Sequence, residues 1–447
     1  MASAVGATLT VSEKAAIEAK PTENLQAYDF FLRGMYYWRS EGSVEANDKA
    51  ITMFEKAVEL DPRFVKAEAW IAYVHSMNYD PAFDPSPARR EKALRALHKA
   101  TAMNPNIPEV HLAAAQYAWF VEADFEGAEA EFRQALAARP NDADILFALT
   151  QFYYHGKAEP ATAIPYLIKL ADLDPYGLGS TDMLSLSWQL VRNWDEAEKW
   201  ADFIIAHAPD AGVSYFAKCY ALLFGRGDVT GARRVYVESR TQGTKSPWYC
   251  RNLEWDIARY ARDYSAALDT LNRVDPQARS RDLQRYGFSR VGSAPTCDWA
   301  LGWTYSLLGE RTKATSYFEK AQSAAEGQVR ERPSDKSARV QLGLAYAGLG
   351  QREAAINEAN EARRLAYADS PADSPFQDDF GSIMRDVAHI YIMTGEYATA
   401  ISMLDSLLSV PSVMSKARLR LDPMYDSLRG NPRFQSLLAK DERIPVE

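Results

Sequence analysis

The sequence predicts an all-α protein of the solenoid class, in which pairs of antiparallel helices stack one after another along the chain. The main observation is a proline that returns at a nearly constant interval, which shortens to 34 or 35 residues in the middle of the chain. A period of this length is typical of stacked helix pairs. The recurring prolines are Pro62, Pro105, Pro140, Pro175 and Pro209.

The second observation is that small and large apolar residues keep constant distances within each period. In one period Tyr305 is followed by Ala314, Phe318 and Ala321, and Gly302 precedes it. Apolar residues three or four positions apart predict two short amphipathic helices per period. Small residues are expected where helix backbones approach closely, and the closing proline ends the second helix because it has no N–H to donate.

This order of small, aromatic and proline positions resembles the tetratricopeptide repeat, a helix–turn–helix unit of 34 residues. About ten units are present between residues 27 and 412; the second carries an insertion at 80–87, and the sixth and seventh are degenerate. The alternative is an unrelated all-helical array. The resemblance implies an α-solenoid wound into a right-handed superhelix. The expected second-helix alanines are Ala50, Ala93, Ala128, Ala163, Ala197, Ala232, Ala267, Ala314, Ala355 and Ala400.

The repeat boundaries predict the organisation of the whole chain. The closing stretch LDPMYDSLRGNPRFQSLL is typical of a cap, with two turns that contain proline and one short amphipathic helix over the last apolar face. Loops at 276–296 and 368–380 are either binding or hinge elements or passive connectors. The expected parts are a flexible lead-in at 1–26, repeats 1–7 at 27–275, an irregular joint at 276–296, repeats 8–10 at 297–412 and a C-terminal cap at 413–447.

Composition limits the class of partner and the compartment. The 447 residues carry a formal net charge of −9, which argues against nucleic acid as the main partner. The opening residues lack the apolar core of a signal peptide, and no run of eighteen apolar residues is available to span a membrane. The three cysteines are widely spaced and predict reduced thiols, so we expect a cytoplasmic protein.

Motifs of catalysis are missing from the sequence. It contains no GxxxxGK[ST] phosphate loop, no HExxH and no glycine-rich dinucleotide motif. The six histidines are scattered, and none lies three or four residues from another. We therefore expect no enzyme, no cofactor and no catalytic or metal-binding residue. An enzyme whose site is built from scattered side chains is the least favoured alternative.

The family resemblance also implies a binding surface, because the first helix of each unit lines the concave groove of such arrays. Aromatic side chains beside hydrogen-bonding ones suit the capture of a partner peptide or protein, although any single aromatic residue can instead pack between helices. A small-ligand receptor with its pocket near 248–264 is the alternative, and a homo-oligomer through the solenoid surfaces is also allowed. The predicted groove residues are Tyr117, Phe120, Phe152, His155, Asp182, Gln189, Tyr249, Asn252, Asp256, Arg259, Tyr260, Trp299, Trp303, Arg385 and His389.

Both borders of the repeat region resemble those of one bacterial group. The stretches PTENLQAYDFFLRGMYYW and LRLDPMYDSLRGNPRFQSLL are similar to the borders of tetratricopeptide regions that follow a class III nucleotide cyclase, a winged-helix domain or a kinase, often after a TolB-like segment. This resemblance implies a sensory or regulatory module of a signalling protein. We expect either a piece cut from a longer chain or a stand-alone member of the group.

Overall fold

The computed structural model describes residues 21–40, 43–80, 83–175, 177–210, 212–242, 247–273, 296–369, 380–412 and 414–446. In these residues we find helices and no β-strand, and the helices follow each other as ten pairs and a terminal cap. The chain divides into two compact units, Met1–Phe152 and Tyr153–Glu447, referred to below as the N-terminal and C-terminal units. The boundary falls inside the fourth pair.

The N-terminal unit holds the first three repeats and the first helix of the fourth. Each repeat consists of two consecutive helices, so that repeat 1 is formed by α1 and α2. The helices of this unit are α1 (Leu25–Ser40), α2 (Val44–Leu60), α3 (Val65–Asn78), α4 (Pro87–Met103), α5 (Pro108–Tyr117), α6 (Phe125–Ala138) and α7 (Ala143–Gln151).

The C-terminal unit continues in the same way to repeat 10 and ends with the cap. Its helices are α8 (Pro160–Leu173), α9 (Leu178–Leu190), α10 (Trp194–His207), α11 (Gly212–Tyr220), α12 (Val229–Thr241), α13 (Pro247–Tyr260), α14 (Tyr264–Asn272), α15 (Cys297–Leu307), α16 (Arg311–Glu331), α17 (Lys336–Gly348), α18 (Arg352–Asp369), α19 (Phe380–Met393), α20 (Tyr397–Leu408), α21 (Lys416–Leu421) and α22 (Pro432–Ala439).

The repeat register predicted from the sequence is confirmed by burial. All ten second-helix alanines, one on each even-numbered helix from α2 to α20, are buried. Gly302 on α15 shows why a small residue is needed opposite them, since a Cβ there would lie 2.8 Å from the ring of Phe318 on α16. The all-α solenoid class is therefore confirmed.

Short polar residues start several helices at the same place in the repeat. Asp142 and Asp335 each end a connector that begins with Arg-Pro, and the side chain of each accepts hydrogen bonds from two backbone N–H groups of the next helix. Such caps satisfy donors that the first helical turn leaves without an intrahelical partner. Proline thus ends one helix and aspartate begins the next.

In repeats 3, 4 and 6 the first helix ends in a π-helical turn that the sequence did not predict. These turns are Ala118–Glu122 after α5, Phe152–Gly156 after α7 and Ala221–Arg226 after α11. The first and third are followed by left-handed residues, Ala123 and Gly227. A π-turn inserts residues without breaking the helix.

The C-terminal segment packs on repeat 10. Its 3-10 turn Pro423–Leu428 and α22 contribute Tyr425 and Phe434 to the hydrophobic cluster of repeats 8–10. Most of the predicted joint at 276–296 and of the loop at 368–380, and residues 1–20 of the lead-in, lie outside the described residues. Among the helices that are described, none is long and apolar enough to cross a membrane.

Candidate functional site

The C-terminal cap also contacts repeat 5, far from it in sequence. The backbone N–H of Ser412 donates to the carbonyl of Leu190, and that of Ile444 donates to the carbonyl of Val191, both at 3.0 Å. Repeat 5 therefore holds the segment before α21 and the segment after α22. Within the C-terminal unit, the cap joins repeat 10 to repeat 5.

Arg192 follows Leu190 and Val191 in the sequence and also binds the cap. Its side chain is buried, and its guanidinium donates to the backbone carbonyls of Leu408, Val410, Met414 and Glu442. Burial lowers its pKa to about 10, against the opposing effect of the Glu442 carboxylate. The backbone of Arg192 is left-handed, with φ of 59°, a conformation that residues other than glycine rarely adopt. Four carbonyl acceptors thus compensate the burial of one cation.

A second contact joins the cap to repeat 7. Arg259 on α13 donates from Nη1 to Oδ1 of Asp422 at 2.8 Å and from Nη2 to Oδ1 of Asp256 at 2.7 Å. All three side chains are buried. Burial acts to lower the pKa of Arg259, but Asp422, Tyr260 and Asp256 together hold it well above its usual value. Arg259 therefore remains charged and paired inside the protein.

The third contact joins the cap to repeat 10 through His389 on α19. The Nε2 atom of His389 lies 2.9 Å from the hydroxyl of Tyr425, and Nδ1 lies 3.6 Å from Asp386. Burial lowers the pKa of His389 to about 4, more than the nearby aspartates raise it. The imidazole is therefore neutral at neutral pH, and its Nε2 atom forms a hydrogen bond with the hydroxyl of Tyr425.

These contacts belong to one group of polar side chains, which we call the inner polar cluster. It lies where α11, α13 and α19 face the cap, and its members influence each other's pKa values. The inner polar cluster consists of Tyr220, Asp256, Arg259, Tyr260, Arg385, Asp386, His389, Arg418, Asp422 and Tyr425.

The structure brings five predicted groove residues together in this cluster: Asp256, Arg259, Tyr260, Arg385 and His389. All five are buried, and Arg259 and His389 form direct contacts with the cap. Their burial places them away from bulk solvent in this structure. Whether they bind a partner stays a prediction.

The other predicted residues of the C-terminal unit lie apart from the cluster. Gln189 and Trp299 are buried, and Nε1 of Trp299 donates to the carbonyl of Leu344 at 3.1 Å. Trp303 is half-buried, and its ring stacks on that of Trp299 with 5.9 Å between centroids. Asp182 is half-buried, and burial raises its pKa to about 6.

His155 is half-buried, with its ring 4.6 Å from that of Tyr154. The side chains of Tyr249 and Asn252 lie outside the described part of the chain. In the N-terminal unit, Tyr117 and Phe152 are buried. Phe120 is half-buried against Trp119, with 4.2 Å between ring centroids. The predicted groove residues thus fall into several separate groups.

Sequence reasoning missed three residues that organise the cap: Arg192, Arg418 and Asp422. Asp422 carried a signal, because LDPMYD resembles the Asp-Pro turns of the connectors. Asp422 accepts from the N–H of Met424 in such a turn and also binds Arg259. Arg192 and Arg418 carried none, because the residues that they contact are distant in sequence.

The N-terminal unit exposes an apolar stripe on α1. Leu25, Leu32 and Tyr36 are 83%, 48% and 68% exposed. Gly34 packs against Phe54 on α2 just as Gly302 packs against Phe318, so the two glycines hold the same repeat position.

The residues two places before and after Gly302 are Ala300 and Thr304, and both are buried against repeat 7. The corresponding residues around Gly34 are Leu32 and Tyr36. The stripe on α1 therefore occupies the positions by which later repeats stack on the preceding one.

No group of three or more histidine, cysteine, aspartate or glutamate side chains that could hold a metal ion occurs in the residues described. The arrangement supports hydrogen bonding, ion pairing and apolar packing.

Comparison with known proteins supports the repeat interpretation. The family model described as "Tetratricopeptide repeat" matches residues 299–328, which cover most of repeat 8. None of the curated proteins matches the chain. The bacterial signalling resemblance is not confirmed by these comparisons.

Several solved structures are similar to the chain at low identity. PilW, a type IV pilus biogenesis factor, is 17% identical, with 48% of this chain and 93% of PilW covered and a TM-score of 0.38. Human IFIT1 in a monomeric mutant with Gppp-AAAA is 14% identical, with 79% and 74% covered and a TM-score of 0.41. A tetratricopeptide repeat protein from Parabacteroides merdae is 10% identical, with 65% and 99% covered and a TM-score of 0.37. Likeness at this level says nothing about the partners of this chain.

Proposed function

We propose that this chain, which matches the tetratricopeptide repeat at residues 299–328, is a non-catalytic scaffold that binds a protein partner. The observation that carries the proposal is the exposed stripe of Leu25, Leu32 and Tyr36 on α1. Several large exposed apolar side chains on one helix face are a common feature of interaction sites. The first helix of the array is therefore the proposed docking surface.

The expected occupant is an amphipathic helix of the partner. At the same positions of repeat 8, Ala300 packs against α14, which presents Ala267 and Leu271. A partner helix with small and medium apolar residues at three- and four-residue spacing would fit α1 in the same way. The Asp29–Arg33 ion pair, 2.8 Å long, places Asp29 between Leu25 and Leu32 along the same helix face and offers polar contacts to the partner.

Predicted groove residues with accessible surface are proposed as additional partner contacts. These are Phe120 in the N-terminal unit and His155, Asp182 and Trp303 in the C-terminal unit, all half-buried. Half-buried aromatic residues beside polar groups are common anchors of interfaces. We further propose a regulatory role in the cytoplasm, on the basis of the two border stretches; a cyclase, winged-helix or kinase domain in the same gene would support it.

A photo-crosslinking amino acid at position 36 tests the docking surface in cells. Position 367 on α18 is the matched control, since Tyr367 is a similarly exposed tyrosine. We expect position 36 to give an adduct with a different protein, and Tyr36→Ser, combined with a crosslinker at position 32, to reduce that adduct without changing the melting temperature. Equal adducts at positions 36 and 367, or only an adduct of two copies of this chain, would contradict the proposal.

A further inference from the structure

Arg418 on cap helix α21 is a buried cation for which the structure shows no acceptor. It is 9% exposed, and its guanidinium lies 4.6 Å from the centroid of the Phe224 ring. Among the described residues, no side chain or carbonyl accepts a hydrogen bond from this guanidinium, and its Nε is fully buried. Buried polar groups are nearly always satisfied by protein, water or a ligand.

The three arginines of the inner polar cluster are not equally paired. Arg259 contacts both Asp256 and Asp422, and Arg385 contacts Asp386 at 2.8 Å. Three arginines and three aspartates balance in formal charge, but the carboxylates are engaged by two of the arginines. Arg418 is left with the contact to Phe224 and with long-range attraction, which do not replace direct hydrogen bonds to a buried cation.

Tyr220 borders the same place from α11. Its side chain is only half-buried, yet burial raises its pKa well above the usual value, with a smaller lowering effect from Arg418 and Arg385. The Phe224 ring lies 4.8 Å from the Tyr220 ring, between centroids, and 4.6 Å from the Arg418 guanidinium, so Tyr220 and Arg418 flank the same ring. No described residue forms a hydrogen bond with its hydroxyl.

The missing partners are acceptors. The two atoms of the cluster that are buried without a partner are Nε of Arg259 and Nε of Arg418, both N–H donors. The unused donors of Arg418 point to a group with several oxygen acceptors, and guanidinium groups match the geometry of carboxylate and phosphate.

We propose that Arg418, Arg385 and Tyr220 together bind a small oxyanion, the phosphate or carboxylate group of a metabolite. Arg418 donates two hydrogen bonds to the oxyanion, and Arg385 and the Tyr220 hydroxyl contact it from the other side. This site goes beyond the scaffold function, because it is independent of α1.

The oxyanion also connects the cap to the repeats. Arg418 belongs to α21, whereas Arg385 and Tyr220 belong to α19 and α11. A ligand that contacts all three stabilises the docked cap by mass action. The melting temperature therefore reports binding.

The test is thermal unfolding of the purified chain in phosphate, succinate or chloride at constant ionic strength and pH. We expect phosphate or succinate to raise the melting temperature with saturation, and the two arms distinguish a phosphate from a carboxylate ligand. Arg418→Met should raise the half-saturating concentration of the anion at least tenfold, because it removes the main hydrogen-bond donor. The control Arg262→Met, which removes the exposed ion pair with Asp426, should leave it unchanged.

Tyr220→Phe is the second variant, because it removes only the hydroxyl and keeps the ring packed on Phe216 and Phe224. We expect it to weaken the response to the anion severalfold even if Arg418→Met fails to fold. An equal response to chloride, or an unchanged response in Tyr220→Phe and in folded Arg418→Met, would overturn the proposal. Loss of the response in these variants with intact crosslinking at position 36 would separate this site from the docking surface.

Discussion

Arg259 and Asp422 are 163 residues apart in the chain, and their side chains form a buried hydrogen-bonded ion pair of 2.8 Å. One residue belongs to repeat 7 and the other to the cap. Because the cap also packs on repeat 10 and hydrogen-bonds repeat 5, the C-terminal unit is closed by its own last segment. Two residues of the predicted groove, Arg259 and His389, contact this last segment.

Asp422→Asn should destabilise the C-terminal unit by about 3 kcal/mol, because it leaves Arg259 buried with only one of its two carboxylates. Asparagine keeps an oxygen for the turn N–H, so the change mainly removes charge. Chemical denaturation measures the difference. The control Asp426→Asn affects the exposed pair with Arg262 and should cost about 0–1 kcal/mol. Equal costs would show that the buried pair is unimportant.

Gly302→Ala should destabilise repeat 8 by roughly 1–3 kcal/mol, because the new methyl group would lie 2.8 Å from Phe318. Gly327→Ala is the matched control on α16, where an added Cβ meets nothing within 4 Å. That change should stabilise the helix by about 0.5–1 kcal/mol. Thermal unfolding of both variants tests the prediction. A shift of the same sign in both would refute the close approach of α15 and α16.

Acid should destabilise the parent partly through His389. The pKa of His389 is about 4 in the folded protein, below the unfolded value of about 6.5, so the unfolded state binds the proton first as pH falls. The stabilisation by the neutral imidazole is complete above pH 6.5 and is lost between pH 6.5 and 4.

His389→Gln should therefore reduce the pH dependence of the unfolding free energy in that range by up to about 1.4 kcal/mol per pH unit. Two other groups act in both proteins and cancel in the difference: His75, with a pKa of about 4, and Asp182, whose pKa of about 6 has the opposite effect. Denaturant unfolding at several pH values gives the slopes. The control variant is His207→Gln, at an exposed histidine, and it should leave the slope close to that of the parent. A parent-like slope for His389→Gln would disprove a buried neutral imidazole.

Trp299→Ala should cost about 3–5 kcal/mol of stability, because the buried indole packs in the core and donates to the carbonyl of Leu344. Trp303→Ala should cost less, since its side chain is half-buried. Calorimetric melting of the two variants makes the comparison. If Trp299→Ala melted like the parent, this indole would be a surface anchor, as the groove prediction has it.

The sequence predicted the helices well, because their determinants are local. Ala314, Phe318 and Gly302 repeat at constant distances, so one repeat predicts the packing of the next. The docking of the cap depends on Arg192 and Arg259, whose partners in the cap lie more than 150 residues away and carry no periodic pattern. The groove residues were taken from the repeat register alone, which does not show that another segment covers them.

Hydrogen exchange of the cap tests the closure of the C-terminal unit most directly. The amides of Ser412 and Ile444 donate only to carbonyls of repeat 5, Leu190 and Val191. Closure predicts that both amides exchange slowly in the parent and that Arg192→Met accelerates both together. Exchange of both at the rate of an unstructured tail, with α19 and α20 still protected, would contradict it.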